Sequence, residues 1–270
     1  MPELPEVETS CRGIRPFIEG QVVTAINVYD TRLRWPVDVD ALHGCVGLSI
    51  LSVSRRTKYL QLQTRDGTVL IHLGMSGNVR ILMQPQPPVK HDHVDMVFAN
   101  GVTLRYHDPR RFGCWLWQPR DTLHPLLASL GPEPWDAVVT ADYLYQRARG
   151  KQQSIKLFIM DSHVVVGIGN IYAAEALFRA GIHPNRAAGN VSKARFTQLL
   201  QAIQAILAAA IDNGGTTLKD FLGSDGKPGY FKQQLHVYGR AGEACDACGA
   251  AIKKIVQGQR STFYCGACQH

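Results

Sequence analysis

At 270 residues, 45% of them apolar and with no low-complexity tract, the chain can bury a sizeable core and is expected to form more than one domain, which excludes a disordered or fibrous protein. Twenty-nine Lys and Arg against 22 Asp and Glu leave a net charge of +7, which suggests a polyanionic partner, most commonly nucleic acid; like charges form no blocks, so any basic surface has to be assembled by folding. No apolar run approaches the roughly 20 residues that span a bilayer, and the acidic start lacks the apolar stretch of a secretory signal, so a cytoplasmic compartment is expected, in which seven cysteines are not expected to be disulfides.

The chain opens MPELPEVE. Met1 before a compact residue is normally removed, which would leave Pro2 as a terminal secondary amine with the Glu3 carboxyl beside it; taken alone, the octet reads equally as an arbitrary, frayed end. Val7, Cys11, Ile14 and Ile18 then recur at helical spacing, with Pro5 suited to a first turn, Gly20 to a stop, and Pro16 expected to kink or shorten the helix. From 21 to 117 the sequence reads as short strands, QVVTAINVYD, VGLSILSVSR, KYLQLQT, TVLIHLG, HVDMVFA, VTLRYH and GCWLW, several separated by turns such as RDG and ANG. So many closely spaced strands predict an antiparallel β-sandwich or barrel.

LGPEPW at 130–135 reads as a linker, and beyond it the period is helical. NIYAAEALFRAG follows a Gly-rich turn. SKARFTQLLQAIQAILAAAIDNGG has a Ser192 cap, an apolar face through Phe196, Leu199, Ile203, Leu207 and Ile211, and Gly214 near its stop. A loop rich in Gly and Lys, LGSDGKPGYFKQQ, precedes the cysteine segment. The expected division is 1–130, a β-sandwich domain; 131–235, a helical domain; and 236–270, a zinc finger. The fold class is α+β.

Cys245, Cys248, Cys265 and Cys268 form C-x2-C-x16-C-x2-C, a spacing that fills a tetrahedral zinc site, and the residues between the pairs read as two strands about a turn at QGQR. With no open ligand position, one structural zinc ion is expected to fold the hairpin rather than catalyse. Cys11, Cys45 and Cys114 read as small buried hydrophobes. Gly167 and Gly169 precede a helix, so backbone amides there could face a phosphate, but Tyr172 breaks the G-x-G-x-x-G pattern and no nucleotide cofactor is expected. Asn170 reads first as a helix cap and second as a phosphate ligand. In YHDPRRFGCW, Arg110, Arg111 and Phe112 suit either an intercalating wedge or an ordinary turn with solvated arginines. Met75 on the LGMSG turn is by default a core residue, and Lys58 a surface lysine. His91, Asp92, His93 and Asp95 fit no helix-borne zinc motif and are expected to make hydrogen bonds.

PELPEVE, LGMSG, DPRRFG, GIGNIYAAEAL and the four-cysteine hairpin, in this order, resemble the formamidopyrimidine-DNA glycosylases of bacteria over essentially the whole chain. The resemblance implies a bifunctional DNA glycosylase and abasic-site lyase that removes oxidised purines such as 8-oxoguanine, acting as a monomer on damaged duplex DNA and associated with the bacterial nucleoid. It implies that the β-sandwich domain, 1–130, is the catalytic one, with Pro2 as nucleophile, Glu3 and Lys58 as proton donors, and Arg260 as the donor for the second elimination. It further implies DNA contacts at His91, Arg110, Lys151 and Asn170, a void-filling wedge of Met75, Arg110 and Phe112, a helix–two-turn–helix element, and a lesion-capping loop from Thr216 to Tyr230. Two competing possibilities are an endonuclease VIII-type enzyme for oxidised pyrimidines and a non-catalytic zinc-ribbon DNA-binding protein; the second leaves Pro2, Glu3 and Lys58 unexplained.

Overall fold

The computed structural model describes residues 2–215 and 235–270, which divide into two compact units. The expected capping loop lies outside the described residues. The first unit holds the chain up to Pro125 with 211–215, and the second holds Leu126–Ala210 with 235–270.

In the first unit, helix α1 (Leu4–Ile18) begins at a capping box in which Glu6 Oε2 accepts the Glu3 N–H at 2.8 Å. It buries Val7, Cys11, Ile14 and Ile18 completely, roughly 1.5–3 kcal/mol for each large aliphatic side chain. Pro16 does not shorten it: the residue lies in the last turn on the exposed face, where water can take the Arg12 carbonyl that loses its donor. Strand β1 (Val23–Val28), helix α2 (Val39–His43) and strands β2 (Ser52–Arg56), β3 (Tyr59–Gln63), β4 (Gly67–His72), β5 (Asn78–Leu82), β6 (Asp92–Phe98), β7 (Thr103–His107) and β8 (Cys114–Pro119) come next. They form two four-stranded antiparallel sheets, ordered β1-β6-β7-β5 and β2-β3-β4-β8. One apolar cluster draws on α1 and both sheets, from Val7 and Ile14 to Leu60, Ile71, Val94, Tyr106 and Trp115, as an α+β sandwich requires. The sequence pattern missed α2 and β5. Strand β5 reads NVRIL beside the Gly-rich turn, too short a run to separate from it, and five-residue α2 has a cap, Asp38, but no second turn of apolar period.

Strand register decides which loops meet. Tyr59 of β3 pairs with His72, the last residue of β4; His72 also pairs with Cys114, the first of β8; and Asn78, the first of β5, pairs with His107, the last of β7. The β2–β3 turn and the two connections β4-to-β5 and β7-to-β8, which pass from one sheet to the other, are therefore gathered at one end of the sandwich.

The second unit contains α3 (Pro125–Ala128, whose first residue closes the first unit), α4 (Ala141–Ala148), α5 (Ile155–Ile159), α6 (Asn170–Arg179), most of α7 (Lys193–Asp212) and the hairpin β9 (Ile252–Gln257)–β10 (Arg260–Cys265). Ser192 Oγ accepts the Arg195 N–H at 3.3 Å and caps α7. By length and composition α7 is apolar enough to cross a membrane, contrary to the expectation from the sequence; it carries Phe196, Leu199, Ile203 and Leu207 into the core and polar residues such as Gln198 and Gln201 on the other face, the pattern of a core helix. Gly258 and Gln259, both at positive φ (51° and 62°), make the hairpin turn foreseen at QGQR.

Candidate active site and nucleic-acid interface

Pro2 is buried and immediately precedes Glu3, the N-cap of α1, which is 2% exposed. One turn into α1, Glu8 receives Arg55 Nε at 3.0 Å, and Arg55 Nη1 donates to Thr57 O at 3.1 Å. Burial pulls the Glu8 pKa upward, but hydrogen bonds from Arg12 and Arg55 outweigh it and hold the carboxyl below its ordinary value. This chain of contacts ties the start of the helix to the turn that carries Lys58. Thr57 adopts a left-handed φ of 51°, and Lys58 is half-buried rather than a free surface side chain. Beyond α7, Gly215 packs so closely on Glu6 that a Cβ would lie 3.1 Å from Glu6 Cγ.

Beside Lys58 stands His72, whose ring is 4.9 Å from that of Tyr59 and whose Nδ1 accepts the Gly74 N–H at 2.9 Å. Burial first, then the cations Lys58 and Arg34, push its pKa down to about 4, so the ring is neutral with its proton on Nε2. Met75 is 38% exposed and Phe112 is 44% exposed, so neither is a core residue. The Arg110 guanidinium sits 4.9 Å over the Phe112 ring, while Arg111 turns away to Asp30 at 2.7 Å. His91 reaches the same end: its carbonyl accepts the Asp108 N–H, and its ring is 6.0 Å from that of His107. Partial desolvation, then Lys90 and His107, lower its pKa. The residues behind it form a buried ion network. Arg105 grips Asp95 with Nε–Oδ1 at 2.8 Å and Nη2–Oδ2 at 2.7 Å, lies 3.3 Å from Asp92, and donates to the Gln86 and Pro87 carbonyls of the loop leading to His91. His93 bonds the Asp108 carbonyl at 2.8 Å. Asp92, His93 and Asp95 of KHDHVD thus make hydrogen bonds or ion pairs as expected, whereas the His91 side chain, among the described residues, makes only its ring contact with His107.

In the second unit the N-cap of α6 is Gly169, not Asn170. Asn170 is the first helical residue, and its side chain is bound elsewhere: Oδ1 accepts Lys156 Nζ at 2.5 Å, and Nδ2 donates to Ser261 O at 2.9 Å. A cap needs extended backbone, which Gly169 supplies with φ −114° and ψ −159°. Lys156, 1% exposed, also donates to Thr262 Oγ1 at 2.6 Å and so joins α5, the start of α6 and β10. Glu175 accepts three backbone N–H groups, from His236, Val237 and Tyr238, and sets the Tyr238 hydroxyl 3.5 Å from Asn170 Nδ2. Arg260, exposed, adjoins Ser261 on the hairpin, and Lys151 is exposed after α4.

The four Sγ atoms of Cys245, Cys248, Cys265 and Cys268 lie within 4.8 Å of one another, with Cys248–Cys265 at 3.5 Å and Cys245–Cys268 at 3.9 Å. Zinc at about 2.3 Å from each sulfur of a tetrahedron requires S···S near roughly 3.8 Å, so the donor set fits one structural zinc ion, and all four ligand positions are taken. Cys11, Cys45 and Cys114 are buried. The sequence had not singled out Arg55, His72, Arg105, Asp108, Lys156 or Glu175. Of these, Lys156 left a signal, a lone cation inside the apolar run IKLFI.

An antiparallel sandwich with a Pro-Glu start, basic and apolar side chains on its loops, then helices and a four-thiolate hairpin define a protein built of an N-terminal β-sandwich, helices and a zinc ribbon. Three domain families match in order: the formamidopyrimidine-DNA glycosylase N-terminal domain over residues 1–115, the formamidopyrimidine-DNA glycosylase H2TH domain over 130–221, and the zinc finger found in FPG and IleRS over 242–270. Curated formamidopyrimidine-DNA glycosylases are 53% identical in Hydrogenovibrio crunogenus, across 100% of this chain and 96% of that one, and 55% identical in Photobacterium damsela subsp. piscicida, across 100% of both. Among solved structures, the Lactococcus lactis FPG mutant G226P in complex with a Fapy-dG containing DNA superposes with TM-score 0.92 at 34% identity and full coverage of both chains. The MutM (FPG) protein from Thermus thermophilus superposes with TM-score 0.88 at 36% identity, covering 99% of this chain and 98% of that one. The chain belongs to the formamidopyrimidine-DNA glycosylase family.

Proposed function

We propose that the protein excises oxidised purines from duplex DNA and nicks the resulting abasic site, with Pro2 as nucleophile. The observation that carries this is the Pro2–Glu3 pair at the start of α1, tied through Glu8 and Arg55 to the Lys58 turn. An α-amine titrates near 8 against about 10.4 for lysine, so at pH 7 roughly 10% is free base against less than 0.1%. With Met1 removed, the Pro2 nitrogen attacks C1′ of the flipped nucleotide, the C1′–base bond breaks, and the purine leaves with the bonding pair and the proton that the Pro2 nitrogen gives up. Glu3 protonates the sugar ring oxygen as the ring opens to an iminium. That cation draws electrons from the 2′ carbon, whose proton leaves as the 3′ phosphate departs; loss of the 5′ phosphate comes second. Lys58 donates protons in the first elimination. Arg260, always protonated, clamps phosphate and serves the second. Met75, Arg110 and Phe112 fill the emptied stack, and His91, Lys151 and Asn170 bind the backbone. Because its side chain is held by Lys156 and Ser261, Asn170 presents phosphate chiefly with the amides at the start of α6. The zinc ion, bound by Cys245, Cys248, Cys265 and Cys268, holds the hairpin that carries Arg260.

We assign 1–130 as the catalytic domain, 131–235 as the helical domain and 236–270 as the zinc finger, and place the protein in the bacterial cytoplasm at the nucleoid. Borohydride reduction during incubation with a duplex containing 8-oxoguanine opposite cytosine should trap a covalent adduct on Pro2. No adduct would leave a passive DNA-binding protein, and efficient cutting of thymine glycol but not 8-oxoguanine would make it a pyrimidine enzyme.

A further inference from the structure

We propose that Asp108 is the positioning residue for the intercalating side chains: its carboxylate locks the β4-to-β5 connection, which carries Met75, to the β7-to-β8 connection, which carries Arg110 and Phe112. The inference rests on the proposed function, since it gives those three side chains their work.

Asp108 is fully buried, yet each of its oxygens takes two donors. Oδ1 accepts Ser76 Oγ at 3.1 Å and the Arg110 N–H at 3.2 Å; Oδ2 accepts Tyr106 Oη at 3.1 Å and the Gly113 N–H at 2.9 Å. Its own N–H and C=O are held by the His91 carbonyl and His93 Nε2. Ser76 is the residue after Met75, and Arg110 and Gly113 bracket Phe112. One side chain therefore reaches both wedge loops within a residue of each exposed wedge group.

The backbone leaves little other freedom here. Gly74 has φ +63°, and a Cβ on it would lie 2.5 Å from Gly113 N and from the Phe112 carbonyl carbon, so the two connections touch main chain to main chain. A wedge must enter the stack along one direction, and a displacement of about 1 Å at a reacting geometry costs on the order of 100-fold. Met75 and Phe112 are 38% and 44% exposed, and the buried carboxylate behind them fixes the two connections that aim them.

The donors decide how the site responds to change. The two hydroxyls can reverse and accept, but the two backbone N–H groups cannot. In Asp108→Asn, whichever way the amide turns, its NH2 faces one of those N–H groups, and either Arg110 or Gly113 loses its acceptor. Ser76→Ala cuts the Met75 loop from the carboxylate and leaves the Arg110–Gly113 loop attached; Ser76→Thr restores the hydroxyl.

Single-turnover excision from a lesion-containing duplex tests the idea beside nicking of an abasic site in a single-stranded oligonucleotide, where there is no stack to fill. For Ser76→Ala and Asp108→Asn, excision should fall by about tenfold or more, the cost of one lost buried hydrogen bond at the wedge. Single-strand nicking should stay within about twofold of the unmodified chain, and Ser76→Thr should recover most of the excision. Ser76→Ala carries the test if Asp108→Asn does not fold. Unchanged excision in Ser76→Ala, or equal loss on both substrates, overturns the inference. Borohydride trapping by the unmodified chain is the control: if it traps and the variants excise normally, only the positioning role fails, whereas no trapping removes the proposed function and the inference with it.

Discussion

Replacing Arg105 with Met removes the cation from the centre of the first unit's buried ion network. The side chain is 4% exposed and makes two short bonds to Asp95, a 3.3 Å contact to Asp92, and two bonds to the Gln86 and Pro87 carbonyls. Asp92 keeps Arg80 at 2.9 Å and His107 at 2.8 Å, whereas Asp95 keeps the Tyr29 hydroxyl at 2.9 Å and no second cation among the described residues. Breaking a buried pair by removing one partner costs about 3–5 kcal/mol, because the remaining carboxylate is left desolvated and uncompensated. At roughly 2–4 °C per kcal/mol for a domain of this size, Tm should drop by about 6–20 °C. The Gln86–His91 loop loses its two carbonyl anchors in the same step, so affinity for duplex DNA should weaken as well. Thermal and urea unfolding of Arg105→Met, Asp95→Leu and the double variant give the coupling, expected above about 1.5 kcal/mol. A Tm change under about 2 °C, or additive effects in the cycle, would refute the claim that the network is held by this arginine.

His72 carries a pKa of about 4 when folded against 6.5 in an open chain, so stability is unaffected by it above pH 6.5 and declines as pH falls toward 4, by on the order of 3 kcal/mol; His72→Gln should flatten that part of the pH–stability curve measured by urea unfolding. Stripping zinc with a chelator, or Cys248→Ala, should unfold the hairpin and abolish DNA binding while leaving the circular dichroism of the β-sandwich, with metal release followed by a chromophoric chelator. Lys151→Ala should weaken binding to all duplexes alike and reduce the slope of log affinity against log salt by about one, as titration at several salt concentrations would show.

Much of this protein is legible in its residue order because the signals are local. Helical spacing from Val7 to Ile18, the Ser192 cap and the paired cysteines each depend on neighbours along the chain and appear in the structure where the pattern puts them, as do most of the expected strands; in VGLSILSVSR only the last part, Ser52–Arg56, is strand, and 46–51 forms a turn and an isolated bridge. What the chain order could not reveal are partnerships formed across it. Asn170 reads as a cap beside its helix, yet the fold gives the cap to Gly169 and binds the Asn170 side chain to Lys156 and to Ser261 on a hairpin far along the chain. Asp108 is not singled out by the sequence; only the pairing of His72 with Cys114 and of Asn78 with His107 brings Ser76 onto its carboxylate. Residue order settles the long, strongly patterned elements and the metal-ligand set, though not short ones such as α2 and β5, since propensity, period and metal-ligand spacing act over a few residues. Tertiary packing settles which polar groups are buried and what satisfies them, because a desolvated charge or amide must find its partner wherever the register of two sheets happens to deliver one.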